Sequence, residues 1–373
     1  MTSPSEYYSE ALAELAAQGN LRAIPSGDSP AGLTDLSSND YLGLSARADL
    51  QERFMADARR RTIPMSASAA RLLSGTQREF AALEELLSGL YGRPALLFNS
   101  GYHANAGLVS ALASAPGTVV MADRLVHASI IDGITLSRAP LRRFRHNDTA
   151  HLERLIEKEE AEGRAKRFLV IAEGVYSMDG DRAPLEALAA LKRRHAGVML
   201  YIDEAHSFGV CGPRGLGLSM ALPDPSEADI IVGTLGKAAC SSGAFAIMHP
   251  DLRDWAVNRA RSFIFSTALP PMQAAWSRFV IEQMLGMDAE RARLDSLARI
   301  IAPAIGSEPS HIMALVTGDP VSAVSRSREL LAEGFKVLPI RVPTVPPGTD
   351  RLRISLSAAL PEEEAIRFKN LLR

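Results

Sequence analysis

The sequence has few of the residues and segments that mark several large classes of protein. Only two of its 373 residues are cysteine, Cys211 and Cys240. This excludes a disulfide framework and any cysteine-rich zinc or iron–sulfur site. The eight histidines are scattered and form no H-E-x-x-H pair, so we expect no metal site. No apolar run approaches the ~20 residues of a membrane helix. The first residues show no basic stretch before an apolar one, so no secretory signal is expected.

The chain also has little excess of either charge, since its formal net charge is −2. Nucleic acids and anionic membranes are bound by concentrated basic surfaces, so neither is an expected partner. The content of 47% hydrophobic and 23% charged residues is ordinary for a globular protein. At ~100–200 residues per domain, the length suggests about two domains. These features favour a cytoplasmic enzyme without selecting a function.

Five short, continuous apolar runs predict strands that are buried on both faces, as in a parallel sheet. They span residues 95–98, 118–121, 168–172, 199–202 and 229–232. Helical patterns lie between them. One begins with a capping-box pattern at 76–79 and places Phe80, Leu83, Leu87 and Leu90 on one face. Another starts at Pro184. Strands that alternate with helices predict an α/β fold with right-handed crossovers.

The pattern changes after about residue 270, where Pro270-Pro271 breaks the chain. The following segments predict a smaller α+β domain: a helix at 272–285, a strand at 311–316, a helix at 320–334, strands near 335–340 and 351–357, and a helix from Pro361. Apolar and polar residues alternate over 352–357, which predicts a half-buried strand. We therefore expect an N-terminal helix and linking segment (1–45), a large α/β domain (46–270) and a small C-terminal domain (271–373).

Ligands of open α/β sheets bind beyond the carboxyl ends of the strands, so the residues at those ends are candidates for chemistry. Asp203 ends the strand at 199–202, and burial of its carboxylate is costly without a partner. The alternatives are a helix cap or a loop salt bridge. Residues 203–206 also match the D-E-A-H box of helicases. The phosphate loop that helicases need is missing upstream, so we reject that interpretation.

Lys237 follows the strand at 229–232 within a run of small residues. The alternative is a solvated loop lysine, but small neighbours leave room for a planar ligand, and a lysine amine can form a Schiff base with a cofactor carbonyl. Gly101 opens a helix after the strand at 95–98, which offers backbone N–H groups to a phosphate. His127 follows the strand at 118–121. Pyridoxal 5′-phosphate (PLP) needs four features in its binding site: a lysine, an acid, a flat histidine and a helix start that binds phosphate.

The chain resembles the α-oxoamine synthases, which are PLP enzymes of fold type I with the aspartate aminotransferase-like architecture. The matching segments follow the order of the family: 38–43, 122–129, 142–148, 173–180, 203–206, 234–237, 265–271, 343–346 and 352–353. The resemblance implies a large, mostly parallel-sheet domain with a smaller α+β domain. It also implies a homodimer with the active site at the interface.

The resemblance implies catalytic roles for four residues. Lys237 would bind the cofactor and remove the substrate α-proton, and Asp203 would hold the pyridinium nitrogen. His127 would stack on the ring, and His206 would hydrogen-bond its 3′-oxygen. Further cofactor-binding residues, chiefly for the phosphate, would be Gly101, Tyr102, Ser177 and Thr234, with Ser266 and Thr267 reaching the neighbouring subunit's cofactor.

The family performs a decarboxylative condensation of an amino acid with an acyl thioester. Arg353 would clamp the amino-acid carboxylate, and the substrate-binding set would be completed by Arg22, Asn39, Arg341 and Thr344. Arg341 and Arg22 favour the branch that condenses L-alanine with pimeloyl-CoA or a pimeloyl-carrier protein, in biotin biosynthesis, because a second cation suits an acyl chain ending in a carboxylate. Without the resemblance, either could be a surface arginine.

Other assignments stay open on sequence grounds. They are another α-oxoamine synthase, such as a glycine C-acetyltransferase, a fold-type-I aminotransferase or aldolase, and a non-catalytic homologue. The chain also departs from the family at 66–70, where it has Ser-Ala-Ser-Ala-Ala in place of a glycine-rich stretch. Alanine fills space and restricts the backbone, so we expect an altered substrate pocket there.

Overall fold

A computed structural model describes residues 3–22, 24, 32–74 and 77–372. The chain forms two compact units. The larger comprises residues 42–177 and 181–291, and the smaller comprises 1–41, 178–180 and 292–373. The three-part division expected from the sequence stays a prediction. In the described part of the chain, no helix is both long and apolar enough to cross a membrane.

The described residues form twelve strands and fourteen α-helices. The strands are β1 (Thr34–Asp35), β2 (Ala95–Phe98), β3 (Thr118–Asp123), β4 (Leu141–Phe144), β5 (Arg167–Glu173), β6 (Val198–Asp203), β7 (Ile230–Thr234), β8 (Ala244–Met248), β9 (Ile312–Val316), β10 (Phe335–Lys336), β11 (Leu338–Ile340) and β12 (Arg351–Ser355). The helices are α1 (Pro4–Ala17), α2 (Ala48–Ala56), α3 (Arg71–Ser74), α4 (Arg78–Tyr91), α5 (Gly101–Ala113), α6 (Ala128–Ser137), α7 (Thr149–Glu162), α8 (Leu185–Arg194), α9 (Pro250–Arg259), α10 (Arg261–Ile264), α11 (Pro271–Met284), α12 (Asp288–Ile305), α13 (Pro320–Ala332) and α14 (Glu362–Leu371).

The larger unit is built on a seven-stranded sheet with the order β2-β8-β7-β6-β5-β3-β4. Only β8 runs antiparallel to its neighbours, so the sheet is mostly parallel, as predicted. All five predicted strands are confirmed, with ends that shift by one or two residues. Apolar and polar residues do not alternate along these strands, because both faces of each strand are buried. Parallel pairing sets the carboxyl ends of β3, β5, β6 and β7 along one edge of the sheet.

The predicted helices of the larger unit are also present. Helix α4 begins after Gln77 and buries Phe80, Leu83 and Leu87. The predicted capping residue, Thr76, lies outside the described residues. Helix α8 begins directly after Pro184, as predicted. The sequence analysis did not identify β4 or β8, whose runs are short and adjoin polar or turn-forming residues.

The smaller unit contains a three-stranded antiparallel sheet, β11-β12-β9, and a parallel pair of β1 with β10. The prediction that the strand at 351–357 is half-buried was wrong, because every residue of β12 is buried. Its polar face is covered by residues distant in sequence. Arg353 donates to Asn39 Oδ1 at 3.0 Å, and Arg351 pairs with Asp179. Alternation shows that one face is polar but not whether other segments cover it. The long helix α12 was also not predicted.

Candidate active site

Side chains from five chain segments surround a cavity of about 180 Å³ at the carboxyl edge of the large sheet. Its walls are formed by Gly101, Tyr102, Asn105, His127, Ser129, Glu173, Asp203, Ala205, His206, Thr234 and Lys237. Each group of residues lies at or just after the end of one strand, among β2, β3, β5, β6 and β7. Seven of the predicted catalytic and cofactor-binding residues are thus brought together, although they span more than 130 positions of sequence.

Lys237 reaches this cavity from the segment that follows β7. Its Nζ lies 2.8 Å from Nε2 of His206, which follows β6. The backbone around the lysine is fixed independently of its amine, because Cys240 N donates to the Lys237 carbonyl at 2.9 Å and Ser241 N donates to the Leu235 carbonyl at 2.9 Å. The amine is therefore held on a short, rigid turn within reach of a ligand in the cavity.

Two acidic residues face each other across neighbouring strands at the floor of the cavity. Glu173 ends β5 and Asp203 ends β6, and the two are paired in register. Burial raises the pKa of Glu173 well above its ordinary value, and the charge of Asp203 raises it further. Glu173 also accepts a hydrogen bond from the backbone N–H of His127 at 2.5 Å. Burial and the charge of Asp203 both favour the protonated form of Glu173.

His127 presents an imidazole to the cavity opposite this acid pair. Partial burial lowers the pKa of His127, and the charge of Lys237 lowers it further, against the opposing effect of Asp203. The backbone N–H of Ser129 points at Nδ1 of the ring from 3.2 Å. The ring is therefore neutral near pH 7 and lines the cavity, which suits stacking on an aromatic ligand.

The other predicted cofactor-binding residues lie elsewhere in the larger unit. Ser177 is buried and does not line the cavity. Ser266 accepts a hydrogen bond from Asn99 Nδ2 at 2.9 Å, and the same amide also donates to the Thr267 carbonyl. Ser266 lines a separate, much smaller cavity. The predicted roles of Ser177, Ser266 and Thr267 stay predictions.

The five predicted substrate-binding residues all lie in the smaller unit. Arg353 is buried on β12, where it donates to Asn39 Oδ1 at 3.0 Å and to Tyr41 Oη at 3.4 Å. Arg22 donates to Thr344 Oγ1 at 2.9 Å, although 322 positions separate the two residues. Arg341 donates to the carbonyl of Gly19. The unit thus joins residues that the sequence analysis had grouped by resemblance alone.

Sequence reasoning missed Asn105, Ser129 and Glu173 as cavity residues. A usable signal existed for Glu173, because it ends a predicted strand just as Asp203 does. For Asn105 no such signal existed, since a lone asparagine inside an otherwise small and apolar helix carries no pattern. Its importance depends on partners from other elements.

Glu204, the neighbour of Asp203, has a structural role. Its side chain is fully buried, and its Oε1 accepts from Ser219 N at 2.6 Å while Oε2 accepts from Leu218 N at 3.0 Å. The hydroxyl of Ser207 also donates to Oε2. These bonds tie the long segment after β6 to the end of the strand. Of the two adjacent acids, only Asp203 faces the cavity.

His146 lies outside the cavity and bridges two aspartates. Its Nδ1 is 2.9 Å from Asp123 Oδ1, and its Nε2 is 2.7 Å from Asp181 Oδ2. Burial alone lowers the pKa of His146, but the hydrogen bonds and charges of Asp123 and Asp181 outweigh it and raise the pKa to about 9. The bridge connects the end of β3 to the segment that precedes α8.

We expect this bridge to make the stability of the fold depend on pH. Because the folded-state pKa is about 9 and the ordinary value is 6.5, the stabilisation is complete below about pH 6.5 and is lost as the pH rises through 9. His146→Gln should therefore lower the free energy of unfolding most at pH 6, by up to about 3 kcal/mol, and least above pH 9. Thermal melts of both proteins across this range measure the difference.

The matched control is His249→Gln, since the side chain of His249 is exposed. His249 caps α9 by accepting from Asp251 N at 3.3 Å, so the control should lose some stability, but less than His146→Gln loses at pH 6. A stability difference for His146→Gln that grows as the pH rises would contradict the bridge.

Comparison with known proteins agrees with this geometry. The family model for aminotransferase class I and II matches residues 31–369. The fold is also that of a serine palmitoyltransferase from S. paucimobilis with bound PLP, with a TM-score of 0.88, 28% identity, and coverage of 100% of this chain and 98% of that chain. The chain belongs to the aminotransferase class I and II family, and it is a PLP-dependent enzyme of fold type I.

Two comparisons point to one branch of these enzymes. The chain is 41% identical to the 8-amino-7-oxononanoate synthase of Haemophilus ducreyi, over 96% of this chain and 97% of that protein. It also resembles the crystal structure of 8-amino-7-oxononanoate synthase from Francisella tularensis, with a TM-score of 0.76, 25% identity, and coverage of 91% of this chain and 96% of that chain.

The donor set of the cavity fits PLP. An amine at Lys237 suits the aldehyde, a carboxylate at Asp203 suits the ring nitrogen, and a neutral imidazole at His127 suits the ring face. The first N–H groups of α5 have no partner within their helix and carry the positive end of its dipole, which suits the phosphate. Thr234 Oγ1 lies 3.8 Å from where a Cβ of Gly101 would stand, so a hydroxyl group adjoins these N–H groups.

Proposed function

We propose that this chain condenses L-alanine with a pimeloyl thioester to form 8-amino-7-oxononanoate, CO2 and a free thiol, a step of biotin biosynthesis. The observation that carries the proposal is the similarity, over nearly the whole of both chains, to a relative named 8-amino-7-oxononanoate synthase. The cavity supports it, because the lysine, acid and histidine that such chemistry needs all face one space.

The reaction makes one carbon–carbon bond and breaks three bonds of the substrates. The α-carbon of alanine loses its proton and bonds to the thioester carbonyl carbon. The carbon–sulfur bond breaks, and the departing sulfur takes a proton to become the free thiol. The former alanine carboxylate leaves as CO2, and the α-carbon takes a proton in its place. One of these two protons is the one removed from alanine, and the other comes from solvent. When bound, PLP supplies an aromatic ring that accepts the electron pair left on the α-carbon.

The residues of the cavity have separate tasks in this proposal. Lys237 Nζ would hold the cofactor and take the α-proton, since its amine lines the cavity. Asp203 keeps a proton on the ring nitrogen, which strengthens electron withdrawal. His127 packs against the ring, and His206 donates to its 3′-oxygen. The N–H groups of Gly101 and Tyr102, with the hydroxyl of Thr234, would bind the phosphate. The role of Ser177 in holding the phosphate rests on the family resemblance alone, because Ser177 does not line the cavity.

Residues of the smaller unit bind the substrates in this proposal. Arg353 offers a planar pair of donors to the alanine carboxylate, and its burial beside Asn39 holds the guanidinium in place. Arg341 and Arg22 bind the carboxylate at the far end of the acyl chain, with Thr344 orienting Arg22. We also propose that the enzyme is a cytoplasmic homodimer in which Ser266 and Thr267 contact the partner's cofactor.

A thiol-release assay over a small matrix of substrates tests this function. We expect release from pimeloyl-CoA or pimeloyl-carrier protein only when L-alanine is present. The value of kcat/KM should exceed that of glycine with acetyl-CoA, or L-serine with palmitoyl-CoA, at least about tenfold. A pimeloyl thioester whose free carboxylate is methylated should also react more slowly, because the arginines then lose an ionic partner.

The other outcomes select other functions. Faster turnover of glycine with acetyl-CoA would identify a different α-oxoamine synthase. Transfer of an amino group to a keto acid without thiol release would identify an aminotransferase. Absence of thiol release with alanine and every pimeloyl donor would refute the proposal.

A further inference from the structure

Asn105 is a buried residue of α5 whose side-chain amide contacts three other polar groups. Its Nδ2 donates to Asp203 Oδ2 at 2.7 Å and to Ser129 Oγ at 3.0 Å. Its Oδ1 accepts from the hydroxyl of Tyr201 at 2.7 Å. Both amide protons are therefore used, and the network extends from the core of the sheet to the cavity.

Chemistry fixes the direction of each hydrogen bond in this network. An ionised carboxylate can only accept, so the amide nitrogen of Asn105 faces Asp203 and the amide oxygen faces Tyr201. Tyr201 must then donate. Burial raises the pKa of Tyr201 well above its ordinary value, which keeps the phenol protonated at all physiological pH values.

The second proton of the amide acts together with the N–H of Ser129 on the tautomer of His127. Because Ser129 Oγ accepts from Asn105, the hydroxyl proton of Ser129 is available to His127 Nδ1, which lies 2.7 Å away. The N–H of Ser129 also points at Nδ1. Nδ1 is therefore an acceptor, and the ring proton is on Nε2.

The same amide orients Asp203. One carboxylate oxygen accepts from Ala205 N at 2.9 Å and the other accepts from Asn105, so the plane of the carboxylate is fixed from both sides. Asn105 is a neutral donor, so it orients the charge of Asp203 without neutralising it. A cation in this place would compete with the ring nitrogen for that charge.

We propose that Asn105 is a positioning residue that fixes both the orientation of Asp203 and the tautomer of His127. One amide then contacts Asp203 directly and His127 through Ser129, the two side chains that would bind the pyridine nitrogen and the ring face of PLP. Asn105 is also one helical turn from Gly101, at the start of α5. The phosphate-binding end of this helix and the support for the ring nitrogen are thus parts of one rigid element.

The test measures PLP binding to the apoenzyme, which does not depend on the identity of the substrates. Hydrogen bonds to charged groups are strong, so Asn105→Leu should raise the PLP dissociation constant about 10- to 100-fold. It should also move the pH at which the visible absorption band of bound PLP changes. Ser129→Ala breaks only the branch to His127 and should produce a smaller loss of affinity.

Asn105→Asp keeps the shape of the side chain and gives a distinct signature. Two carboxylates would then share the site of the 2.7 Å contact, and one of them must hold a proton. PLP affinity should be weak at neutral pH and recover on acidification, whereas the affinity of Asn105→Leu should not recover. The other titratable groups that face Asp203 are Glu173, His127, Lys237 and Tyr201. They are common to both variants.

A pair of tyrosine variants separates positioning from stability. Tyr201→Phe removes the donor to Asn105, and Tyr91→Phe removes an equally buried hydroxyl that donates to the Leu216 carbonyl at 2.8 Å, away from the cavity. Both should lower the melting temperature of the apoenzyme, but only Tyr201→Phe should weaken PLP binding. Equal effects of the two on PLP binding would overturn the proposal. So would an Asn105→Leu enzyme whose PLP affinity and pH profile match the wild type.

Discussion

Lys237→Ala should lower the rate of thiol release from pimeloyl-CoA and L-alanine about 10³-fold or more. In the proposed function, the lysine both holds the cofactor and accepts the α-proton. Loss of a positioned base alone lowers the reaction rate about 10²- to 10⁴-fold. His206 lies 2.8 Å from the lysine amine, but it approaches from the segment after β6 and cannot occupy the position of the missing amine. The variant should also lose its visible absorption band on dialysis, since nothing retains PLP covalently.

The fold of this variant should survive, because the turn around Lys237 is held by backbone hydrogen bonds that alanine also makes. Circular dichroism and thermal melting check this directly. Lys158→Ala, on the exposed side of α7, is the matched control and should keep both the rate and the band. Retention of more than about a tenth of wild-type activity by Lys237→Ala would show that another group is the base.

Asp203→Asn should reduce turnover about 10²- to 10⁴-fold while the enzyme still binds PLP, although more weakly. An amide has the size of the carboxylate but no charge, so it cannot keep the ring nitrogen protonated. The loss should appear in kcat more than in the KM for alanine, because the charge matters most when the electron pair develops on the α-carbon. Steady-state kinetics at saturating PLP separate this effect from weaker cofactor binding.

Asp203→Glu is the informative comparison, because it retains the charge and moves it by one methylene. Its turnover should fall less than that of Asp203→Asn, because a carboxylate at this position can still keep the ring nitrogen protonated. The paired acid, Glu173, should also respond. Without the charge of Asp203, one of the two influences that raise the pKa of Glu173 disappears. Equal turnover of Asp203→Asn and the wild type would exclude a role of this carboxylate in catalysis.

Most of the cavity could be predicted from the sequence because its parts follow strands. Runs buried on both faces identify parallel strands without reference to the rest of the chain, and their carboxyl ends meet at one edge. Lys237, Asp203 and His127 were candidates for that reason. The same rule applies to Glu173, because it ends β5 just as Asp203 ends β6.

The features that the sequence did not predict depend on contacts between distant segments. The burial of Arg353 results from coverage of β12 by the N-terminal residues Asn39 and Tyr41. Glu204 and Asp203 are adjacent acids at one strand end, and only the packing of the segment at 207–219 decides which of them is enclosed. The local pattern of apolar and polar residues predicts neither the burial of Arg353 nor the enclosure of Glu204.

The sequence by itself determined the class of this protein. Local patterns of hydrophobicity define its strands, and the residue types at their ends define the chemistry of PLP, because each is a property of a short segment. Only the tertiary structure decided how those residues are held: that burial raises the pKa of Glu173, which ring nitrogen of His127 accepts, and that Asn105 contacts Asp203 and Ser129. Hydrogen-bond direction and pKa depend on neighbours in space, and those neighbours come from β5, β6, α5 and α6 together.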